Sequence, residues 1–220
     1  MLVCWLHKLY GYIPMFELVD FRLCLKGDGI WDILGYYDSK PHLVYICESE
    51  IEKCVDEIKF KIFNKAGSLN EKEVTVLSRL AVRTLVRLHE HCHALLHTCD
   101  FRGLIAPNHD WYISLKPEIS EPLTEFIAFS IIQKSGCRFF QKIFEYIDDK
   151  APKYYKKWTT LRDLVKSKTG DSKTCYTFVP GIVKVARESS WENFNELKES
   201  IKDQWDDEVA RVCIAYNIKF

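Results

Sequence analysis

The first third of the chain alternates apolar with polar residues, which is the pattern of strands with one buried face. The alternation is partial over residues 15–25, and after a glycine-rich turn at 26–29 the apolar and aromatic residues 30–37 indicate a second strand. A third segment, 42–47, follows a turn that contains proline. Because short turns join all three segments, we expect a small, mainly antiparallel sheet.

From residue 49 the apolar residues recur with the spacing of an α-helix. A first helix is predicted from residue 51 to about residue 66. A second is predicted from residue 70 to about residue 98, and it begins where Asn70 and Glu73 resemble a capping box. Two neighbouring apolar stripes run along this second helix, so we expect it to lie in the interior of the protein.

Residues 99–117 are predicted to form a loop. Ser120 is predicted to cap the next helix, which would start at Glu121 and carry Pro122 in its first turn, where few backbone amides need partners. Gly136 is predicted to end this helix. Further helical segments are predicted at residues 137–148, 152–168 and 190–205.

These elements predict an α+β protein with two parts. The first domain, residues 1–135, is expected to pack the small sheet on the long buried helix and on the helix that starts at Glu121. Residues 136–220 are expected to form a mostly helical C-terminal extension that packs on this domain.

Charge and cysteine content exclude several classes of protein. Lys+Arg and Asp+Glu both total 31, so the chain lacks the basic excess of most nucleic-acid binders, and we expect no nucleic-acid partner. We find neither an apolar run of about 18 residues nor a signal peptide, so we expect no membrane association and a cytoplasmic protein. The 9 cysteines include no C-x-x-C pair, which argues against a zinc ribbon or a disulfide framework.

One stretch of the second helix carries candidate metal ligands. His89, Glu90 and His93 form the pattern H-E-x-x-H. Residues four apart lie on the same face of a helix, so the two imidazoles can bind one zinc ion while Glu90 serves as a general base. His91 is predicted to point away from this face. His97 lies about 12 Å along the axis from His89 and is predicted to stand at the loop end of the helix.

A catalytic zinc site needs a third protein ligand and one open position. The next helix offers Glu118, Glu121 and Glu125. We choose Glu121, because Glu125 then lies one turn further along the same face, where its carboxylate can accept the N–H of a ligating histidine.

The motif pair resembles that of the gluzincin metallopeptidases, and the chain is similar to their compact members, the minigluzincins. This family carries H-E-x-x-H on one helix and E-x-x-x-D on the next. The resemblance covers about residues 30–130 and implies a zincin-like core, one Zn²⁺ ion held by His89, His93 and Glu121, and Glu90 as the catalytic base. Glu125 stands where the family has Asp, and the resemblance implies that it orients a histidine.

The resemblance also implies a peptide or protein substrate and a donor for the developing oxyanion. Gluzincins often supply that donor from beyond the glutamate helix, which makes Tyr154, Tyr155 and Tyr176 candidates. His109 and Tyr112, in the preceding loop, are predicted to line the cleft. The strand at 42–47 is expected either to pair with an extended substrate at an exposed edge or only to cover the helix that carries His89.

Three alternatives use the same residues. A di-iron bundle needs the E-x-x-H motif twice, and it occurs once here. A metzincin needs glycine at the position of Leu96 and a histidine three residues further on, and this chain has neither. A catalytically inactive zincin-like scaffold or interaction protein, with a structural or absent metal, stays open as the alternative function.

Overall fold

The computed structural model describes residues 21–24, 34–40, 43–62, 70–98, 103, 105 and 108–218. This part of the chain is mostly helical and carries a small sheet at its N-terminal end. Residues 15–20 and 25 of the first predicted strand, the predicted turn at 26–29 and residues 30–33 of the second strand lie outside the described residues. The same holds for most of the segment 99–107 and for residues 63–66 of the first predicted helix. None of the described helices is long and apolar enough to cross a lipid bilayer.

Three strands form the sheet: β1 (Phe21–Cys24), β2 (Gly35–Asp38) and β3 (Leu43–Cys47). Their order is β1-β3-β2, with β2 antiparallel and β1 parallel to β3. The predicted hairpin between the second and third strands is therefore present. The sheet is mixed, however, because β1 pairs with β3 and not with its neighbour in the chain, and turn signals alone do not determine this pairing.

The position of β3 rules out one of the two alternatives for the segment 42–47, that of an exposed edge strand. This strand is central, and Val44 and Ile46 are 0% and 3% exposed. Its nearly unbroken apolar sequence is typical of a strand covered on both faces. Among the described residues the edge beside the long helix Glu71–Thr98 belongs to β2.

Two helices follow the sheet, α1 (Glu48–Ile62) and α2 (Glu71–Thr98), and both were predicted. The predicted capping box of α2 is confirmed. The Asn70 amide donates to Glu73 Oε2 at 2.8 Å, and the Glu73 amide donates to Asn70 Oδ1 at 3.0 Å. These bonds satisfy two backbone donors that the first turn leaves free.

The segment predicted as a loop contains a short helix, α3 (His109–Ser114). Asn108 caps it by accepting a hydrogen bond from the Trp111 amide at 2.9 Å, and the Trp111 side chain is buried. The prediction was wrong here because six residues are too few to show a helical period.

The glutamate helix, α4 (Pro117–Ser135), starts before its predicted boundary. Pro117 occupies the first turn and Lys116 is the N-cap, so Ser120 is not the cap and Pro122 lies inside the helix. Proline needs no backbone partner in a first turn, which makes Pro117 an alternative start signal that competes with Ser120. Gly136 ends the helix as predicted, with a φ of 67°.

Five helices complete the described chain, and they are joined by 3₁₀ turns at Tyr155–Lys157 and Ser172–Thr174 and by a π-helical turn at Trp205–Val209. The segment predicted at 152–168 divides into the first of these turns and a helix, and the segment predicted at 190–205 is helical only in its middle. The helices are α5 (Arg138–Lys150), α6 (Trp158–Thr169), α7 (Cys175–Arg187), α8 (Phe194–Asp203) and α9 (Ala210–Ile218).

One hydrophobic cluster joins the sheet to the C-terminal helices. Helix α2 packs on α1, on strands β2 and β3 and on α4, and α4 packs in turn on α6 and α7. The two helices that carry the predicted ligands therefore lie at the centre of the core. The division into domains at residue 135 stays a prediction.

A buried arginine connects the C-terminal helices to the end of α2. The Arg187 guanidinium is 6% exposed and donates to the Leu95 carbonyl at 3.1 Å and to the Leu96 carbonyl at 2.6 Å. These carbonyls are among the last four of α2, which have no partner within the helix. A cation at this position also opposes the negative end of the helix dipole.

We expect Arg187→Met to lower the free energy of unfolding by about 2–4 kcal/mol, because it leaves buried carbonyls without their charged donor. Urea denaturation measures the change. Arg211→Met is the control: its side chain is 68% exposed and pairs with Glu208, so its loss should cost less than about 1 kcal/mol. Equal effects of the two substitutions would contradict a capping role for Arg187.

Candidate metal centre

Helices α2 and α4 bring three predicted ligands together. His89 Nε2 and His93 Nε2 lie 3.2 Å apart, as helical neighbours four residues apart should. Glu121 Oε2 lies 3.2 Å from each of these nitrogens. The three atoms therefore form an equilateral triangle, built from one turn of α2 and one side chain of α4.

The size of this triangle fits a small tetrahedral cation. Zinc binds imidazole nitrogen and carboxylate oxygen at about 2.0–2.1 Å, and a regular tetrahedron with such bonds has edges of about 3.3 Å. Nitrogen and oxygen donors are also the types that zinc accepts. Together with Glu90, the two histidines form a group whose ligand atoms all lie within 4.8 Å of one another and could hold a metal ion.

Both histidines are oriented through their second ring nitrogen. His89 Nδ1 lies 3.2 Å from Glu125 Oε1, the carboxylate predicted for this role. His93 Nδ1 lies 3.1 Å from the hydroxyl of Thr124, which is fully buried. With each Nδ1 proton donated to its partner, both Nε2 lone pairs point toward the Glu121 oxygen.

Sequence reasoning missed Thr124. Its spacing could have indicated it, because Thr124 lies three residues after Glu121 and therefore on a neighbouring part of the same helix face. A threonine that precedes a candidate carboxylate is too common to single out without the geometry.

Burial and mutual charge shift the pKa values of this cluster. Burial lowers the pKa of His89, but the carboxylates of Glu125 and Glu121 outweigh it and raise the pKa well above its usual value. Burial raises the pKa of Glu121, but the imidazoles of His93 and His89 outweigh it and hold the pKa far below normal. The carboxylate of Glu121 is therefore ionised, as a ligand for a cation must be.

Glu90 is 5% exposed and lies on the sheet side of this group. Burial raises the pKa of its carboxyl group, and the imidazoles of His89 and His93 partly oppose this shift. Strand β2 approaches Glu90 closely because residue 35 is glycine. A methyl group on Gly35 would lie 2.7 Å from Val86 Cγ1 and 3.3 Å from Glu90 Cγ.

Two of the three candidate tyrosines beyond α4 lie at the centre. The Tyr155 ring stacks on His89 with a centroid distance of 6.2 Å. Burial raises the pKa of its hydroxyl, and the nearby charge of Glu121 adds to this effect. The Tyr154 ring lies beside it at 5.0 Å. Tyr176 instead lies 6.0 Å from the Lys134 ammonium, which is about 20 Å along α4 from Glu121.

Helix α3 places Tyr112 on the other side of the centre. Its ring centroid lies 6.4 Å from that of His93 and 4.8 Å from that of His97, on which it stacks. Burial raises the pKa of Tyr112, and the charges of Glu121 and Glu90 add to this effect. The hydroxyl is therefore a hydrogen-bond donor throughout the neutral range.

His97 is more deeply buried than a histidine at a loop end would be. It is 2% exposed, its Nδ1 lies 2.8 Å from the Tyr37 hydroxyl, and its Nε2 contacts His109 Nδ1. His109 itself is exposed and contacts His97, so it reaches the centre only through this neighbour. His91 points away, as predicted, and its Nδ1 contacts the Arg87 carbonyl at 2.6 Å.

Comparisons of the chain with protein-family models, curated proteins and solved structures find no significant match. The geometry of the described residues is therefore the basis on which a function is assigned.

We expect Thr124→Val to weaken the affinity of this centre for a metal ion by about 10- to 100-fold, the usual effect of removing a partner that orients a ligating histidine. Competition with a zinc-binding dye measures the affinity. Thr84→Val is the matched control, because this buried hydroxyl donates to the Leu80 carbonyl of its own helix at 2.7 Å and touches no ligand. An unchanged metal affinity in Thr124→Val would contradict the role of Thr124 in orienting His93.

Proposed function

We propose that the chain is a zinc-dependent peptide-bond hydrolase of the gluzincin type, with a minigluzincin-like core. The observation that supports this most is the convergence of His89 Nε2, His93 Nε2 and Glu121 Oε2 at 3.2 Å, beside the buried carboxyl group of Glu90. A bound zinc ion would lower the pKa of a coordinated water to about 7 and would polarise a substrate carbonyl.

The chain's own residues would perform the proton transfers. Glu90 follows His89 on α2, and its ligand atom lies within 4.8 Å of those of the two histidines. From that place its carboxylate would accept a proton from the attacking water and pass it to the leaving amine. Its burial excludes bulk water as a competing proton acceptor.

Two tyrosines are candidates for stabilising the developing oxyanion. Tyr155 lies on the His89 side of the centre and Tyr112 on the His93 side. Both hydroxyls are protonated at neutral pH, as tyrosine hydroxyls ordinarily are, and burial raises their pKa values further. Both can therefore donate a hydrogen bond to an oxyanion. Tyr176 is the less favoured candidate, because its ring lies 6.0 Å from the Lys134 ammonium at the far end of α4.

A peptide substrate has an edge on which to bind. Among the described residues β2 is the edge strand beside α2, and Gly35 brings its backbone close to Glu90. An extended peptide that paired with β2 would pass Glu90 and the two histidines. Sequence alone left open whether the segment 42–47 pairs with a substrate or only covers the helix, and we assign the pairing role to β2.

The metal claim has a direct test. Purified protein should contain one zinc ion per chain, and His93→Ala should lose it, since two of the three ligands bind a metal far more weakly than three do. Elemental analysis measures the content. His109→Ala is the control and should keep its zinc, because His109 is exposed and lies outside the triangle. A metal-free wild-type protein after growth with zinc would refute the proposed centre.

The catalytic claim depends on Glu90. Glu90→Gln keeps the shape of the side chain but cannot accept a proton, so we expect turnover of a peptide library to fall by about 10²- to 10⁴-fold while zinc stays bound. A digest with a chelator control measures turnover, and elemental analysis measures zinc. Loss of zinc in this variant would instead give Glu90 a structural role, and an inactive wild-type protein with bound zinc would favour the scaffold alternative.

The oxyanion donor can be identified by removing one hydroxyl at a time. We expect either Tyr155→Phe or Tyr112→Phe to lower kcat by about 10²- to 10³-fold with little change in KM, since such a donor acts on the transition state. Tyr176→Phe should leave kcat unchanged. If neither Tyr155→Phe nor Tyr112→Phe lowers kcat, then neither tyrosine is the donor.

A further inference from the structure

The charge of the chain is not evenly distributed. Residues 150–173 contain eight lysine or arginine side chains and two aspartates, a local charge of +6 in a chain whose net charge is zero. This segment includes the end of α5, the 3₁₀ turn Tyr155–Lys157 and helix α6. It therefore presents a basic surface, which we call the 150–173 surface.

One end of this surface borders the metal centre. Tyr155, whose ring stacks on His89, stands between Lys153 and Lys157 in the chain. A separation of two residues places their Cα atoms within about 7 Å of that of Tyr155. Their backbones therefore lie close to the ring that stacks on His89, a position from which a lysine side chain could contact a bound substrate.

These two lysines are available to a ligand. Lys153 is exposed and Lys157 is partly exposed, and neither forms an ion pair within the described part of the chain. Lys156, between them, is engaged: its ammonium donates to the Asp149 carbonyl at 2.8 Å. Burial is the main cause of the raised pKa of Tyr154, and the charges of Glu121 and exposed Glu118 add to it. The carboxylates on this side also include Asp148, which accepts a hydrogen bond from Trp158 Nε1, and Asp149, which pairs with Lys156, so these two have partners other than Lys153 and Lys157.

The opposite side of the centre carries the opposite charge. Asp38 of β2 lies close enough to Tyr37 to contribute to the raised pKa of its hydroxyl, after burial as the main cause. Asp110 is exposed at the start of α3. The centre is therefore flanked by lysines beyond His89 and by aspartates beyond His97.

We infer that Lys153 and Lys157 select peptide substrates with acidic residues on the Tyr155 side of the scissile bond. The inference rests on the proposed peptidase function and specifies its substrate class. Charge complementarity of this kind contributes more to specificity than to total affinity.

A nucleic acid is the less favoured ligand of the same surface. Nucleic-acid binders neutralise many phosphates at once, whereas only two unpaired lysines border the centre, and Asp163 and Asp171 interrupt the rest of the surface. The Tyr154 ring packs against Tyr155 at 5.0 Å, so at least one of its faces is not a free platform for stacking bases.

The test uses two peptide pools of equal length and equal central diversity, one flanked by Asp and Glu and the other by Asn and Gln. The wild-type protein should cleave the acidic pool with the higher kcat/KM. In Lys153→Gln/Lys157→Gln the ratio of kcat/KM for the acidic pool to that for the neutral pool should fall by between about 2- and 30-fold, the range expected for two exposed charge pairs. The kcat/KM for the neutral pool should stay constant. Raised salt should reduce the wild-type preference.

A matched control separates local from general charge. Lys166→Gln/Lys168→Gln removes the same charge from the far end of α6, where Lys168 lies about 16 Å along the axis from Lys157, and it should keep the preference. An equal loss in both double variants would overturn the assignment to Lys153 and Lys157.

Equilibrium binding provides a second measurement that does not depend on turnover. Fluorescence anisotropy of labelled peptides should show that zinc-loaded Glu90→Gln binds the acidic pool more tightly than the neutral pool. Adding Lys153→Gln/Lys157→Gln to this variant should abolish the difference.

Equal binding of both pools overturns the inference even if the protein is a peptidase. Acidic-pool binding without any wild-type cleavage would refute the peptidase and keep the ligand preference. Tighter binding of a single-stranded oligonucleotide than of the acidic pool would also overturn the inference.

Discussion

The packing of α2 against α4 is the constraint on which the site depends, because it must hold three ligand atoms within 3.2 Å of one another. Two of these atoms belong to one helix, so their separation follows from the helical repeat. The third crosses between helices, and a shift of α4 by a single turn would move Glu121 about 5 Å away. The hydrophobic cluster around both helices and the Arg187 bonds to the end of α2 oppose such a shift.

The same packing places an unusual number of polar groups in the core. Glu90, His93 and Glu125 are 5–7% exposed, and Thr124 is fully buried. Buried polar groups destabilise a fold unless they find partners, and here Thr124 is partnered by His93 and Glu125 by His89. One atom is the exception, since Glu125 Oε2 has no hydrogen bond among the described residues. Such a cluster makes sense as a cation site, because a positive ion at its centre would balance the convergent lone pairs.

Parts of this arrangement could be predicted from sequence. The Asn70–Glu73 cap, the end of α4 at Gly136 and the β2–β3 hairpin depend on residues that are close in the chain, and all three were predicted. The start of α4 was misjudged because Pro117 and Ser120 carry competing start signals. The central position of β3 was missed because strand order depends on pairing with β1, which is distant in sequence.

The candidate site likewise has a part that sequence could predict and a part that it could not. His89, Glu90 and His93 were predictable because a four-residue spacing fixes their relation on any helix, whatever packs around it. The contacts of Thr124, Tyr155 and His97 arise only when α4, the 3₁₀ turn and α3 pack around α2, since no local spacing relates these residues to the ligands. Sequence alone therefore indicated which residues can bind a metal, and the tertiary packing decided which side chains surround and orient them.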